Sequence, residues 1–249
     1  MKEDVKMKIL FIGNSFSQDA TKYLQKIAGG KLFVRNLYIG GCSLKTHAAN
    51  VEADAVAYDY ECDAVAQEKT SIKAGLLKEE WDVVSVQQAS AYSGMIETYE
   101  PYIGKVIECI KTYRPNAKIV FHRTWSYADD VVNDQYFAPY NHDGRYMFAR
   151  IKEATDKIAE KYSLDIIPSG DAIELARKLP EFDLKAGGVS LNSDGKHLSN
   201  DGGRYLAALV VYRFFTKESA KCAAFVPDCM TKERALTLQG VVDELFASM

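Results

Sequence analysis

The chain has 249 residues, 47% of them hydrophobic, with 31 lysines and arginines against 34 aspartates and glutamates. That much apolar material suits one well-filled α/β domain over residues 1–249 better than two small ones. The near balance of charge, with no basic stripe interleaved with aromatics, excludes a nucleic-acid surface, and no run approaches the roughly 18 to 20 apolar residues of a membrane span.

From the N-terminus, Met7 to Ile12 is a compact apolar run ended by Gly13-Asn14, and Gln18 to Ala28 follows with helical spacing until Gly29-Gly30 stops it. Further short, β-branched or aromatic runs at Leu32 to Ile39, Trp81 to Gln87, Lys118 to Phe121 and Leu164 to Ile167 predict strands. Helical spacing predicts helices at 44–57, 70–80, 97–113, 143–162, 171–178, 202–215 and 231–246. Tyr58 to Gln67 alternates around Asp63 and reads as a small hairpin outside the main sheet. Apolar strands alternating with helices imply a mainly parallel five-stranded sheet covered on both faces, with ligands at the carboxyl ends of its strands.

The scattered cysteines (Cys42, Cys62, Cys109, Cys222, Cys229) form no CxxC or Cys/His metal spacing, and the four histidines show no zinc pattern. The thiols are expected reduced or buried, and neither metal nor cofactor is expected. The apolar run from Ile9 to Ile12 is too short for a secretory leader, which predicts a cytoplasmic location.

Two segments carry chemistry. Ser15 follows the first strand at the mouth of a helix, where unpaired backbone N–H groups favour a developing oxyanion; the competing reading is that Ser15 or Ser17 merely caps the helix. Near the other end, Asp194-Gly195-Lys196-His197 puts a carboxylate three residues before a histidine. Asp194 can receive the Nδ1–H of His197 while Nε2 accepts a proton from a hydroxyl. Together Ser15, His197 and Asp194 supply what nucleophilic acyl transfer requires.

With these residues the chain resembles the SGNH, or GDSL-type, hydrolases, esterases and lipases marked by four short blocks spread over a domain. Gly13-Asn14-Ser15 matches the first block and Asp194 to His197 the last, with Asn14 where the common form has aspartate; the Gly-Asn-Ser-Phe-Ser spelling resembles a largely uncharacterised branch. The resemblance implies a three-layer α/β/α, flavodoxin-like fold. It also implies an oxyanion hole of Ser15 N–H, a glycine N–H from Gly40-Gly41 (Gly41 first, Gly40 as fallback) and a side-chain amide. The family's Gly-x-Asn-Asp is absent; Gln87-Gln88 stands at the end of the third predicted strand, and Gln88 is chosen because Val84, Val86 and Gln88 alternate to its tip.

Asn14, Gln87, Trp125 and Tyr127 are the candidates for substrate contacts, the two aromatics through stacking on a sugar ring or acyl chain. His122 reads as a hydrogen-bonded strand-end residue rather than a second base. The expected activity is hydrolysis of small O-acyl esters, foremost O-acetyl groups on carbohydrate. The alternatives are a lipid-ester or thioester hydrolase of the same fold and a non-catalytic ligand-binding module.

Overall fold

The computed structural model describes residues 6–131 and 134–249. A seven-stranded sheet runs through it in the order β4-β3-β2-β1-β5-β6-β7. The strands are β1 (Met7–Gly13), β2 (Leu32–Tyr38), β3 (Tyr58–Cys62), β4 (Val65–Thr70), β5 (Val83–Val86), β6 (Lys118–His122) and β7 (Asp165–Ile167). β2, β1, β5, β6 and β7 pair in parallel and match the five expected strands, with β1 flanked by β2 (Gly13 beside Tyr38) and β5 (Ile12 beside Val86).

The hairpin forms, but its expected place outside the sheet is corrected: β3 pairs antiparallel with β2 and extends the sheet. Asp63 and Ala64 close it with positive φ of 51° and 64°, the mirror-image turn whose twist suits adjoining strands. A bonding edge on β2 is satisfied this way, and β4 becomes the new, mostly exposed edge.

The helices are α1 (Ser15–Thr21), α2 (Leu24–Ile27), α3 (Leu44–Glu52), α4 (Ile72–Leu77), α5 (Tyr102–Tyr113), α6 (Gly144–Tyr162), α7 (Ser169–Ala176), α8 (Gly203–Thr216) and α9 (Lys232–Ala247). Alternation along β1 divides the core between two faces: Ile9 and Phe11 pack with residues of α1, α2, α7, α8 and α9, whereas Leu10 and Ile12 pack with α3, α4 and α5. The result is a three-layer α/β/α sandwich.

Several helices are shorter than their apolar spacing suggests. Ser71 caps α4 through its side chain, so that helix starts at Ile72, and α5 begins only after Pro101, with Glu97 in a separate single turn; α3 starts at Leu44 behind its Ser43 cap but stops at Glu52, just before Asp54 turns to a positive φ of 44°. The predicted helix 18–28 starts earlier, at Ser15, and breaks at Lys22-Tyr23.

Candidate active site

β1 delivers the chain to the site at Gly13, where a Cβ would lie 2.4 Å from Ser17 Oγ and 3.1 Å from the Gln87 side chain. Only glycine lets the strand turn so tightly here. Asn14 then stays extended (φ −143°, ψ −157°), and its Oδ1 accepts the Phe16 N–H at 3.0 Å as the cap of α1. Capping therefore falls to Asn14, and the Ser15 hydroxyl is left for other partners.

That partner comes from 182 residues away: Ser15 Oγ lies 2.9 Å from His197 Nε2. His197 Nδ1 lies 2.6 Å from Asp194 Oδ2, while Asp194 Oδ1 accepts the N–H of Lys196 (2.9 Å) and of His197 (2.7 Å). Gly195, at φ +79°, makes the tight bend between them. Partial burial pushes the Asp194 carboxyl up, but the His197 ring and the two N–H groups outweigh it and hold the carboxyl down at about 2. The imidazole is 37% and the carboxylate 55% exposed, so the line of three groups opens to solvent.

The histidine loop is fastened from below. Leu198 N–H donates to Asp19 Oδ2 at 2.7 Å, and Asp19 Oδ1 pairs with Arg204 at 2.7 Å. Burial raises the Asp19 pKa, opposed chiefly by Arg204. Lys196 O accepts Trp125 Nε1–H (2.9 Å) and Asn192 Nδ2–H (3.0 Å), and Gly195 O accepts the Ala128 N–H (2.8 Å). Asp19 and Asn192 escaped the sequence reading. A signal for Asp19 was present, since it interrupts the apolar stripe Phe16, Ala20, Leu24, Ile27.

On the opposite side, Gly41 sits in the left-handed region (φ +64°), in a position open enough that an added Cβ would meet nothing within 4 Å. The N–H groups of Ser15 and Gly41 donate to no acceptor among the described residues.

Gln88 does not supply the third donor, which corrects the expectation. Its Nε2 donates to Thr98 O and Oγ1, both at 3.1 Å, and its Oε1 accepts the Leu44 and Ala89 N–H groups. β5 ends at Val86, so strand alternation no longer governs residue 88, and its amide instead braces α3 behind the Gly41 loop.

The expected substrate contacts are also internal. Trp125 is fully buried, stacked on Phe16 with centroids 4.4 Å apart; Tyr127 is buried with its hydroxyl 3.0 Å from Ser90 Oγ. These aromatics floor the histidine loop and present no stacking face. Gln87 and Asn14, 1% and 2% exposed, bond to each other through Gln87 Nε2–H and Asn14 Oδ1 at 2.8 Å. His122 is buried against them, as its strand-end position suggested.

Beside Asp194 and His197 lies a cleft of about 590 Å³ whose lining includes Asp130, Asp134, Asn192, Ser193 and Lys196. Among the described residues no group of three or more His, Cys, Asp or Glu side chains converges as metal ligands would, and no helix is long and apolar enough to cross a membrane. The five cysteines are free thiols, Cys222 and Cys229 exposed.

Among solved structures, a DUF4886 family protein from Bacteroides uniformis is similar at 31% identity and a TM-score of 0.87, over 98% of this chain and 95% of that one. A presumed SGNH hydrolase from Slackia heliotrinireducens is similar at 22% identity and a TM-score of 0.58, over 84% and 98%. An acetyl xylan esterase, AlAXEase, shares the fold at 16% identity and a TM-score of 0.51, over 84% and 99%. No curated protein matches. The family described as "Domain of unknown function (DUF4886)" matches residues 8–241, and the chain belongs to it, on the SGNH-hydrolase fold.

Proposed function

We propose that the chain is a serine esterase that hydrolyses small O-acyl esters, foremost O-acetyl groups on carbohydrate. The observation that carries the reading is the continuous line from Ser15 Oγ through His197 to Asp194, with separations of 2.9 and 2.6 Å. Ser15 Oγ attacks the acyl carbonyl as its proton passes to His197 Nε2, and Asp194 orients and stabilises the imidazolium. The Ser15 and Gly41 N–H groups receive the oxyanion. Collapse of the tetrahedral intermediate releases the alcohol, which takes the proton from His197; water, activated by the same nitrogen, then frees the acyl group.

The substrate half of the reading rests on the neighbouring cleft. Its Asp130 carboxylate and Ser193 hydroxyl, with the Lys196–Asp134 ion pair in the same wall, suit a polyhydroxylated leaving alcohol better than a hydrocarbon chain. The acetyl xylan esterase of the same fold is consistent with that choice.

Rates on p-nitrophenyl acetate, butyrate and octanoate, followed by a panel of acetylated glycans, test both halves. Acetate should be cleaved fastest, a fluorophosphonate should label Ser15, and Ser15→Ala or His197→Ala should abolish turnover without loss of fold. Full activity in Ser15→Ala would end the proposal, and a preference for octanoate would move the substrate to lipid esters.

A further inference from the structure

The chemistry above leaves unused a string of buried polar side chains behind β1. Asn14, Gln87, His122 and Ser169, from four separate parts of the chain, are each at most 2% exposed. Their hydrogen-bond directions follow from one another once the buried His122 ring is neutral. Asn14 Oδ1 accepts the Phe16 N–H, which can only donate, and Asn14 Nδ2 donates to Cys42 O at 3.0 Å, which can only accept.

The orientation of the Asn14 amide is thereby fixed, so the Gln87 group facing Oδ1 at 2.8 Å is its NH₂. Gln87 Oε1 then faces His122 Nδ1 at 2.9 Å, so that nitrogen carries the proton. The remaining His122 Nε2 is bare and accepts the Ser169 hydroxyl at 2.9 Å.

The Asn14 amide joins two loops: Phe16 follows Ser15, and Cys42 follows Gly41. We propose that Ser169, His122, Gln87 and Asn14 form one positioning unit that sets the spacing of the two oxyanion donors, Ser15 N–H and Gly41 N–H. The proposal rests on the esterase reading of Ser15. None of the four is a catalytic residue; they act through the backbone that carries the donors.

The unit accounts for two choices of residue. A neutral histidine has one donor and one acceptor on opposite sides of the ring, as this string requires, and burial keeps His122 neutral by lowering its pKa to about 3. At position 14 an aspartate would have no hydrogen for Cys42 O. It would set a carboxylate oxygen against that carbonyl and add negative charge beside the developing oxyanion. Asparagine at position 14 fits all three partners at once, Oδ1 accepting from Phe16 and Gln87 and Nδ2 donating to Cys42 O.

Two measurements on the full chain test this. In protein carrying ¹⁵N-labelled histidine, long-range proton–nitrogen correlations should show His122 as the neutral Nδ1–H tautomer; an Nε2–H tautomer would overturn the proposal. In kinetics on acetyl esters, Gln87→Leu and Asn14→Asp should lower kcat about ten- to a hundredfold with KM held within about twofold. Ser169→Ala, the smallest truncation, keeps the test available if those variants fold poorly, and should also lower kcat while KM stays. Variants with reduced melting temperature but wild-type kcat would reduce the unit to a structural network and overturn the proposal. A wild-type protein with no esterase activity at all would instead defeat the underlying reading of Ser15.

Discussion

Asp194 shows how much a single carboxylate does at this site. It orients the imidazole and, by accepting two backbone N–H groups, holds the bend that carries it. Replacing it with asparagine should lower kcat by roughly 10³ to 10⁴, since an amide favours the wrong imidazole tautomer. Because folding depresses its pKa from 3.8 to about 2, its contribution to stability is complete above pH 3.8 and fades as pH falls through about 2. Asp194→Asn should therefore lose that acid-dependent portion, which melting curves between pH 5 and 2.5 will register.

Among individual residues, the meeting of Ser15, His197 and Asp194 was legible, because it follows from residue identity and, for Asp194 and His197, from a three-residue spacing. Gln88 and Trp125 were not. The amide of Gln88 turns toward Thr98 once β5 has ended, and Trp125 is buried through Lys196 O, 71 residues away.

Helix α1 links the candidate site to the packing beneath it. Its first residue is Ser15, and Asp19, one turn on, holds the histidine loop through Leu198 N–H while paired with Arg204. Asp19→Ala removes one member of a buried charged pair and should cost about 3 to 5 kcal/mol of stability, with kcat falling as the loop loosens. Asp19→Asn retains an acceptor for Leu198 and should keep more activity than the alanine variant; thermal melts beside ester kinetics check both. At this level the strands were read well, since period-two alternation and apolar runs survive in any context. The hairpin's attachment was not, because pairing with β2 depends on which sheet edge is vacant, and local pattern says nothing of that. Once attached, Glu61 of β3 accepts Asn36 Nδ2–H (3.0 Å) and Gln18 Nε2–H (2.7 Å), so the added strands also steady α1.

For the molecule as a whole, two wholly buried histidines make stability sensitive to mild acid. Burial lowers His47 to about 4 and His122 to about 3, against an ordinary 6.5. Below pH 6.5 the unfolded chain takes up two protons that the folded chain refuses, so stability declines as pH falls, by up to about 2.7 kcal/mol per pH unit. Asp19 and Glu61, raised by burial, oppose this toward the acid end. Urea unfolding at pH 7.5, 6 and 5 should show a steady fall in midpoint; a flat profile would contradict the neutral burial of both rings.

The Ser15 hydroxyl and the His197 imidazole lie 182 residues apart in sequence and meet only in the finished fold. During synthesis the hydroxyl is made long before the imidazole that it meets. On the proposed esterase reading, a nascent chain cannot turn over ester until the segment carrying His197 has been made and docked. Two polypeptides divided between these segments would each be silent, and turnover would report their reassembly.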